Sequence, residues 1–229
     1  MPYRHATRIL AIRHGETAWN VDARIQGQLD IGLNRAGQWQ ARRLAEALAA
    51  DGQDGELDMI YSSDLSRAFE TASTLAVHTG WPLQQDAGLR ERHFGAFQGH
   101  TPQEIAERHP ALVQRWRQRD PAFCPEGGES LQTFYARCID TAARLATLHP
   151  GQTIALVAHG GVLDCLYRAA CGMPIEAPRT WQLGNASVNR LLYSEGRFTM
   201  IGWGDTQHLD GARDEIDEQL QPRAVGSLS

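Results

Sequence analysis

The sequence predicts a single-domain α/β protein, a three-layer α/β/α sandwich with a mostly parallel central sheet and an antiparallel edge. Short apolar runs at Ile9–Ile12, Met59–Tyr61 and Thr153–Ala158 each stop at charged or small residues, and helical patterns alternate with them. That order suits a parallel sheet covered by helices. Near the end of the chain, Ser187–Tyr193 and Phe198–Trp203 flank Ser194-Glu195-Gly196-Arg197, the pattern of a hairpin at a sheet edge. With 229 residues and 42% hydrophobic content, the chain can bury one substantial core.

The elements follow in order. The first strand ends at Arg13, and Asn34–Ala50 reads as a helix from its stripe Ala41, Leu44, Ala45 and Leu48 and its stop at Asp51-Gly52. Met59–Ser63 reads as a strand, and Asp64–Ala72 opens a helix with Asp64 or Ser66 as its cap. Ser130–Leu148 is the longest helical pattern, with Leu131, Phe134, Tyr135, Cys138, Ala142 and Leu145 on one face and Pro150-Gly151 as terminator. A helix follows Gly161 through Val162, Leu163, Leu166, Tyr167 and Ala170. The domain is expected to span residues 1–210. The charged, aromatic-free stretch 211–229 reads as a mobile tail.

Composition narrows the function classes. A net charge of −5 argues against nucleic acid or an acidic membrane as partner, because both need a basic surface. No apolar run approaches the roughly 18 residues of a membrane span, and Met1–His5 lacks the apolar core of a signal peptide, so a cytoplasmic protein is expected. Cys124, Cys138, Cys165 and Cys171 show no metal-binding or redox spacing and read as reduced, mostly buried thiols. The nine histidines include no H-x-H or H-E-x-x-H pair, so neither a metal nor another cofactor is expected.

Chemistry concentrates where the strands end. Arg13-His14-Gly15-Glu16-Thr17 follows the first run, and His159-Gly160-Gly161 follows Thr153–Ala158, so two strands end in His-Gly. A guanidinium beside an imidazole disfavours its cation, so His14 is expected neutral at neutral pH, with a free lone pair. Glycine after each histidine lets a bound group approach the backbone, and the helix opening after Gly161 directs N–H groups at the same place. If the two strands are neighbours, one pocket holds two imidazoles, a guanidinium and a helix N-terminus. Arg67, in a first helical turn, opposes the helix dipole, a conflict that a bound anion relieves.

Together these segments resemble the histidine phosphatase superfamily, the phosphoglycerate-mutase-like enzymes. The resemblance rests on Arg13–Thr17 with Asn20; Arg24-Ile25-Gln26-Gly27 with Asp30 and Leu33; Ser62–Leu65 with Arg67-Ala68 and Thr71-Ala72; Leu89-Arg90-Glu91 with Gly95 and Gln98-Gly99; and Ala158-His159-Gly160. It spans roughly residues 8–203, and five motifs in order are far more specific than any one. It implies that His14 attacks phosphorus and carries the phosphoryl group. Arg13, Arg67 and His159 then bind the phosphoryl oxygens, with Asn20, Gln26, Gly27 and the backbone of Gly160 as further substrate contacts. Glu91 aligns with the proton donor and acceptor.

The function expected is hydrolysis of a small phosphorylated metabolite through a phosphohistidine on His14, with a homodimer left open. A phosphoglycerate mutase is the alternative and a non-catalytic binder of phosphorylated ligands the third. Glu91–Ala96 and Trp116-Arg117 resemble the mutases. The absence of their long insertion before Ser130, Gln118 in place of a second arginine, and Gly161 in place of asparagine favour the phosphatase, because a short lid admits water. Substrate choice is expected between Arg92 and Glu129, with Phe94, Phe97, Ala122 and Phe123 as apolar walls; Arg115, Arg117 and Arg119 either bind a second acidic group or face solvent, and their alternation, which does not put all three on one helical face, favours solvent.

Overall fold

A computed structural model describes residues 5–50 and 57–210. In chain order the elements are β1 (Thr7–Arg13), α1 (Ala18–Val21), α2 (Arg35–Ala50), β2 (Met59–Ser62), α3 (Ser66–Thr79) and β3 (Leu83–Gln85). There follow α4 (Pro102–Arg108), α5 (Pro110–Arg117), α6 (Leu131–Thr147), β4 (Thr153–Ala158), α7 (Gly160–Cys171), β5 (Val188–Ser194) and β6 (Arg197–Asp205). The predicted helix stop at Asp51-Gly52 and the predicted tail at 211–229 lie outside the described residues.

The six strands form one sheet in the order β3-β2-β4-β1-β5-β6. The first four are mutually parallel, and β5 and β6 run antiparallel at the edge, as the hairpin pattern predicts. Alternation along β1 divides the core. Leu10 and Ile12 face one layer with Leu44, Leu48, Ala68 and Leu75 from α2 and α3, and Ile9 and Ala11 face the other with Phe134, Cys138, Leu163 and Leu166 from α6 and α7. The architecture is therefore the three-layer α/β sandwich expected.

Pairing β1 with β4 places Arg13 opposite Ala158, so His14 and His159 leave the sheet side by side. Parallel α/β sheets gather ligands at the carboxyl ends of their strands, and here that end carries both histidines. Gly15 lets the chain turn there: a Cβ on it would lie 2.5 Å from the carbonyl oxygen of Gly37, so the loop after β1 packs directly on the start of α2.

Several local expectations change. Neither Asp64 nor Ser66 caps α3; the N-cap is Leu65, without a side-chain bond, because Asp64 pairs with Arg90 at 2.5 Å and the Ser66 N–H and hydroxyl both donate to Asp30. Helix α7 begins at Gly160, two residues earlier than the pattern suggests. Only Cys138 and Cys165 are buried; Cys124 and Cys171 are exposed. Between residues 92 and 129, α4 and α5 close over a small third core of Phe97, Ile105, Val113 and Phe123. Phe97 and Phe123 therefore belong to that core, and Ala122 is exposed, so of the four predicted wall residues only Phe94 lines the pocket.

Candidate active site

At the end of β1 the buried His14 ring is held by its own neighbour: Nδ1 lies 2.7 Å from the carbonyl oxygen of Gly15. A carbonyl only accepts, so Nδ1 carries the proton and the Nε2 lone pair is free. Thr71 of α3 fixes that loop, accepting from Gly15 N–H at 3.0 Å while donating to the carbonyl of Arg67 at 2.8 Å. Burial, then the charges of Arg13 and Arg67, hold the His14 pKa well below its ordinary value. His14 is thus a neutral, oriented imidazole.

Two guanidinia stand beside it without carboxylate hydrogen bonds. Arg67, 1% exposed, donates to the carbonyls of Gly27 at 2.7 Å and Leu29 at 3.0 Å, and its Nε has no partner. Burial pushes its pKa down to about 10, opposed by the charges of Glu91 and Asp30. Arg13 donates to the carbonyl of Leu183, and its buried Nε is likewise unpartnered. Backbone carbonyls orient these cations without neutralising them, which leaves their charge for an anion.

His159 is fully buried, its ring centroid 5.2 Å from that of His14, with Nε2 2.8 Å from the Ser63 hydroxyl. Burial, Arg67, His14 and Arg13 keep it neutral by lowering its pKa well below the ordinary value. Asn20 accepts at Oδ1 from the Thr17 N–H and hydroxyl and from Asn185 Nδ2. That leaves its amide N–H groups unused by the protein. Gln26 is buried with an unpartnered Oε1.

Arg13, His14, Asn20, Gln26, Gly27, Arg67, Glu91 and Gly160 all line one inner pocket of about 180 Å³. Of the nine predicted site residues, only His159 is not among those lining it; its ring lies directly beside that of His14. The pocket shares Arg13, Glu91, Phe94 and Gly160 with an outer cleft of about 1000 Å³. Of the three arginines expected to face solvent, Arg115 and Arg117 are exposed, Arg115 beside Asp120 and Arg117 at the edge of the outer cleft, whereas Arg119 is drawn into the cleft wall by a pair with Asp164 at 2.7 Å.

Glu91 closes the pocket opposite His14 with both carboxylate oxygens held by backbone, Oε2 by Gly161 N–H at 2.9 Å and Oε1 by Arg92 N–H at 2.7 Å. Residue 161 must be small for this: a Cβ there would lie 2.1 Å from Glu91 Oε1. Arg137 of α6 supports the segment from below, donating to the carbonyls of Gly88 and Arg90 at 2.9 Å and pairing with Glu129 at 2.8 Å. Sequence reading gave no role to Ser63, Thr71, Arg137 or Asn185. Ser63 and Thr71 stood in the motifs; Arg137 and Asn185 carried no local signal, because their partners lie far away in sequence.

The neutral histidines also couple stability to pH. Unfolded, each titrates near 6.5, about the ordinary value, and folded, well below it. Stability is therefore complete above about pH 6.5 and falls as pH drops below it, because the unfolded chain binds protons that the folded one refuses. The pair contributes at most about 2.7 kcal/mol per pH unit, and the half-buried His208, also lowered by burial, adds in the same direction. Urea unfolding between pH 8 and 5 should show this slope, reduced in His14→Gln. An unchanged slope in that variant would contradict the placement of His14.

A neutral, oriented imidazole, two guanidinia without carboxylate hydrogen bonds and a carboxyl group thus gather at the carboxyl edge of a parallel sheet. The chain belongs to the histidine phosphatase superfamily (branch 1), whose sequence model matches residues 9–206. Phosphoglycerate mutase-like protein 4 of Arabidopsis thaliana is 40% identical over 205 residues, covering 88% of this chain and 86% of that protein. The metal-independent phosphoserine phosphatase of the same plant is 36% identical over 205 residues, covering 89% and 83%. The structure of a mycobacterial glucosyl-3-phosphoglycerate phosphatase complexed with VO3 is 35% identical and superposes with a TM-score of 0.76, covering 87% of this chain and 99% of that one. Family and relatives make this chain a histidine-dependent phosphatase.

Proposed function

We propose that the chain hydrolyses a small phosphate monoester through a phosphohistidine on His14. The observation that carries the reading is the free Nε2 lone pair of a neutral His14, in a pocket whose guanidinia are oriented but not neutralised. Nε2 forms a bond to phosphorus as the ester oxygen departs. Charge on the equatorial oxygens is met by Arg13, Arg67, His159, Asn20, Gln26 and the backbone at Gly27 and Gly160. Glu91 gives a proton to the leaving alcohol. It then takes one from the water that breaks the nitrogen–phosphorus bond, returning His14 to its starting state.

The outer cleft supports an alcohol half with a further acidic group. Arg117 and Arg179 line it with no hydrogen-bonding or ionic partner among the described residues, and Arg92 spends its described donors on the carbonyls of Phe123 and Glu129. Phe94, Trp116 and Trp181 supply apolar wall. The relatives' names point the same way, since phosphoserine and glucosyl-3-phosphoglycerate both carry a carboxylate.

A phosphate-release screen over monoesters with and without a carboxylate, including 3-phosphoglycerate with and without its bisphosphate, tests the reading. Hydrolysis led by carboxylated esters is the expected result; isomerisation of 3-phosphoglycerate faster than any hydrolysis would favour a mutase. Glu91→Gln should slow esters of aliphatic alcohols far more than p-nitrophenyl phosphate, whose phenolate leaves with little help. Gly161→Ala, which displaces the same carboxylate, should move rates in the same direction. Equal losses on both ester types would remove the acid role from Glu91.

A further inference from the structure

Ser63 directly follows β2 and is fully buried. Its hydroxyl oxygen accepts from Leu65 N–H at 3.3 Å and lies 2.8 Å from His159 Nε2. A buried hydroxyl hydrogen needs an acceptor. Among the described residues His159 Nε2 is the acceptor within its reach, so Ser63 donates and Nε2 holds the ring's lone pair. The ring proton then sits on Nδ1, which is buried and has no protein partner.

We propose that Ser63 is a positioning residue that fixes the tautomer of His159, so that a neutral imidazole offers an N–H, from Nδ1, to the phosphoryl group bound at His14. The proposal rests on the phosphoryl-transfer reading for the purpose of that N–H; the tautomer itself does not.

The reason for such a device is the charge environment. An imidazolium would be a donor at both nitrogens, but burial beside Arg67, Arg13 and His14 suppresses the cation. A neutral ring has one donor and one lone pair, and the wrong tautomer turns the lone pair toward the incoming anion. Leu65 N–H occupies one side of the Ser63 oxygen and turns its hydrogen toward the ring, so the backbone at the start of α3 sets the proton on His159. The helix that carries Arg67 thereby orients both the guanidinium and, through Ser63, the second histidine.

Nitrogen-15 NMR of histidine-labelled protein at neutral pH, without ligand, reads the tautomer directly. His159 should show a protonated Nδ1 and an unprotonated Nε2 in the wild type. Ser63→Ala should shift His159 toward the Nε2–H tautomer and lower kcat for p-nitrophenyl phosphate by roughly 10- to 100-fold, the range seen when an outer partner that fixes a histidine tautomer is lost. Ser63→Thr keeps the hydroxyl and should restore both the tautomer and most of the rate. An Nε2–H ring in the wild type, or an unchanged Nδ1–H ring in Ser63→Ala, overturns the proposal. The wild-type spectrum needs no variant to fold. A protein that holds this tautomer yet cleaves no phosphate ester would instead overturn the phosphatase reading, so the two failures are distinct.

Discussion

His14→Ala is expected to lower phosphate release by at least about 10⁴-fold, the scale on which loss of a nucleophile is felt, while the fold persists. No other group in the inner pocket has a free lone pair on a neutral nitrogen beside both guanidinia. Asn20 and Gln26 are amides, and Glu91 has both oxygens engaged by Gly161 and Arg92 N–H. The ring is tied to the structure by a single hydrogen bond to Gly15, its own neighbour, so its removal leaves the β1–β4 register untouched. Circular dichroism and thermal melting of the variant separate lost chemistry from lost folding. A residual rate within tenfold of wild type would show that another group attacks phosphorus.

Arg67→Met is the second large effect. It keeps the buried apolar stem and deletes a charge that the protein leaves without a carboxylate hydrogen bond, so kcat/KM should fall by roughly 10³-fold, as for removal of a positioned phosphoryl-binding cation. The same variant should lose most of its affinity for vanadate. Wild-type protein should gain about 2.7 kcal/mol of stability at a vanadate concentration one hundred times Kd, and Arg67→Met should gain little at that concentration. Equal thermal stabilisation of both proteins would place the oxyanion elsewhere.

Much of this site was legible because its chemistry sits where strands end. The runs Ile9–Ile12 and Thr153–Ala158 identify their own strands, and His14 and His159 fall at the first residue beyond each. Their adjacency was a conditional statement in the sequence and became a fact only through the β1–β4 pairing, which is set by packing across the sheet. The cap of α3 was misread for a related reason. Asp64 and Ser66 are good capping residues in isolation, but Arg90 and Asp30, distant in sequence, compete for them.

The segment from Arg92 to Glu129 was the least legible. Phe97 and Phe123 look like pocket walls until α4 and α5 are seen to need a core of their own, which these rings fill. Arg119 looked solvated until Asp164 of α7, forty-five residues away, was found beside it. Asn185 and Arg137 act through hydrogen bonds to backbone carbonyls, His14 in one case and Gly88 and Arg90 in the other, and no spacing rule reveals such partners.

The central claim is that the phosphoryl group rests on His14 Nε2 between the two halves of the reaction. Rapid acid-free quenching of wild-type protein with a phosphorus-32-labelled ester tests it most directly. The account predicts label that is stable to alkali, lost in acid, absent from His14→Ala and located by peptide mapping on His14. Label that is lost in alkali and maps to a serine or a carboxylate, or steady label on His14→Ala, would contradict it.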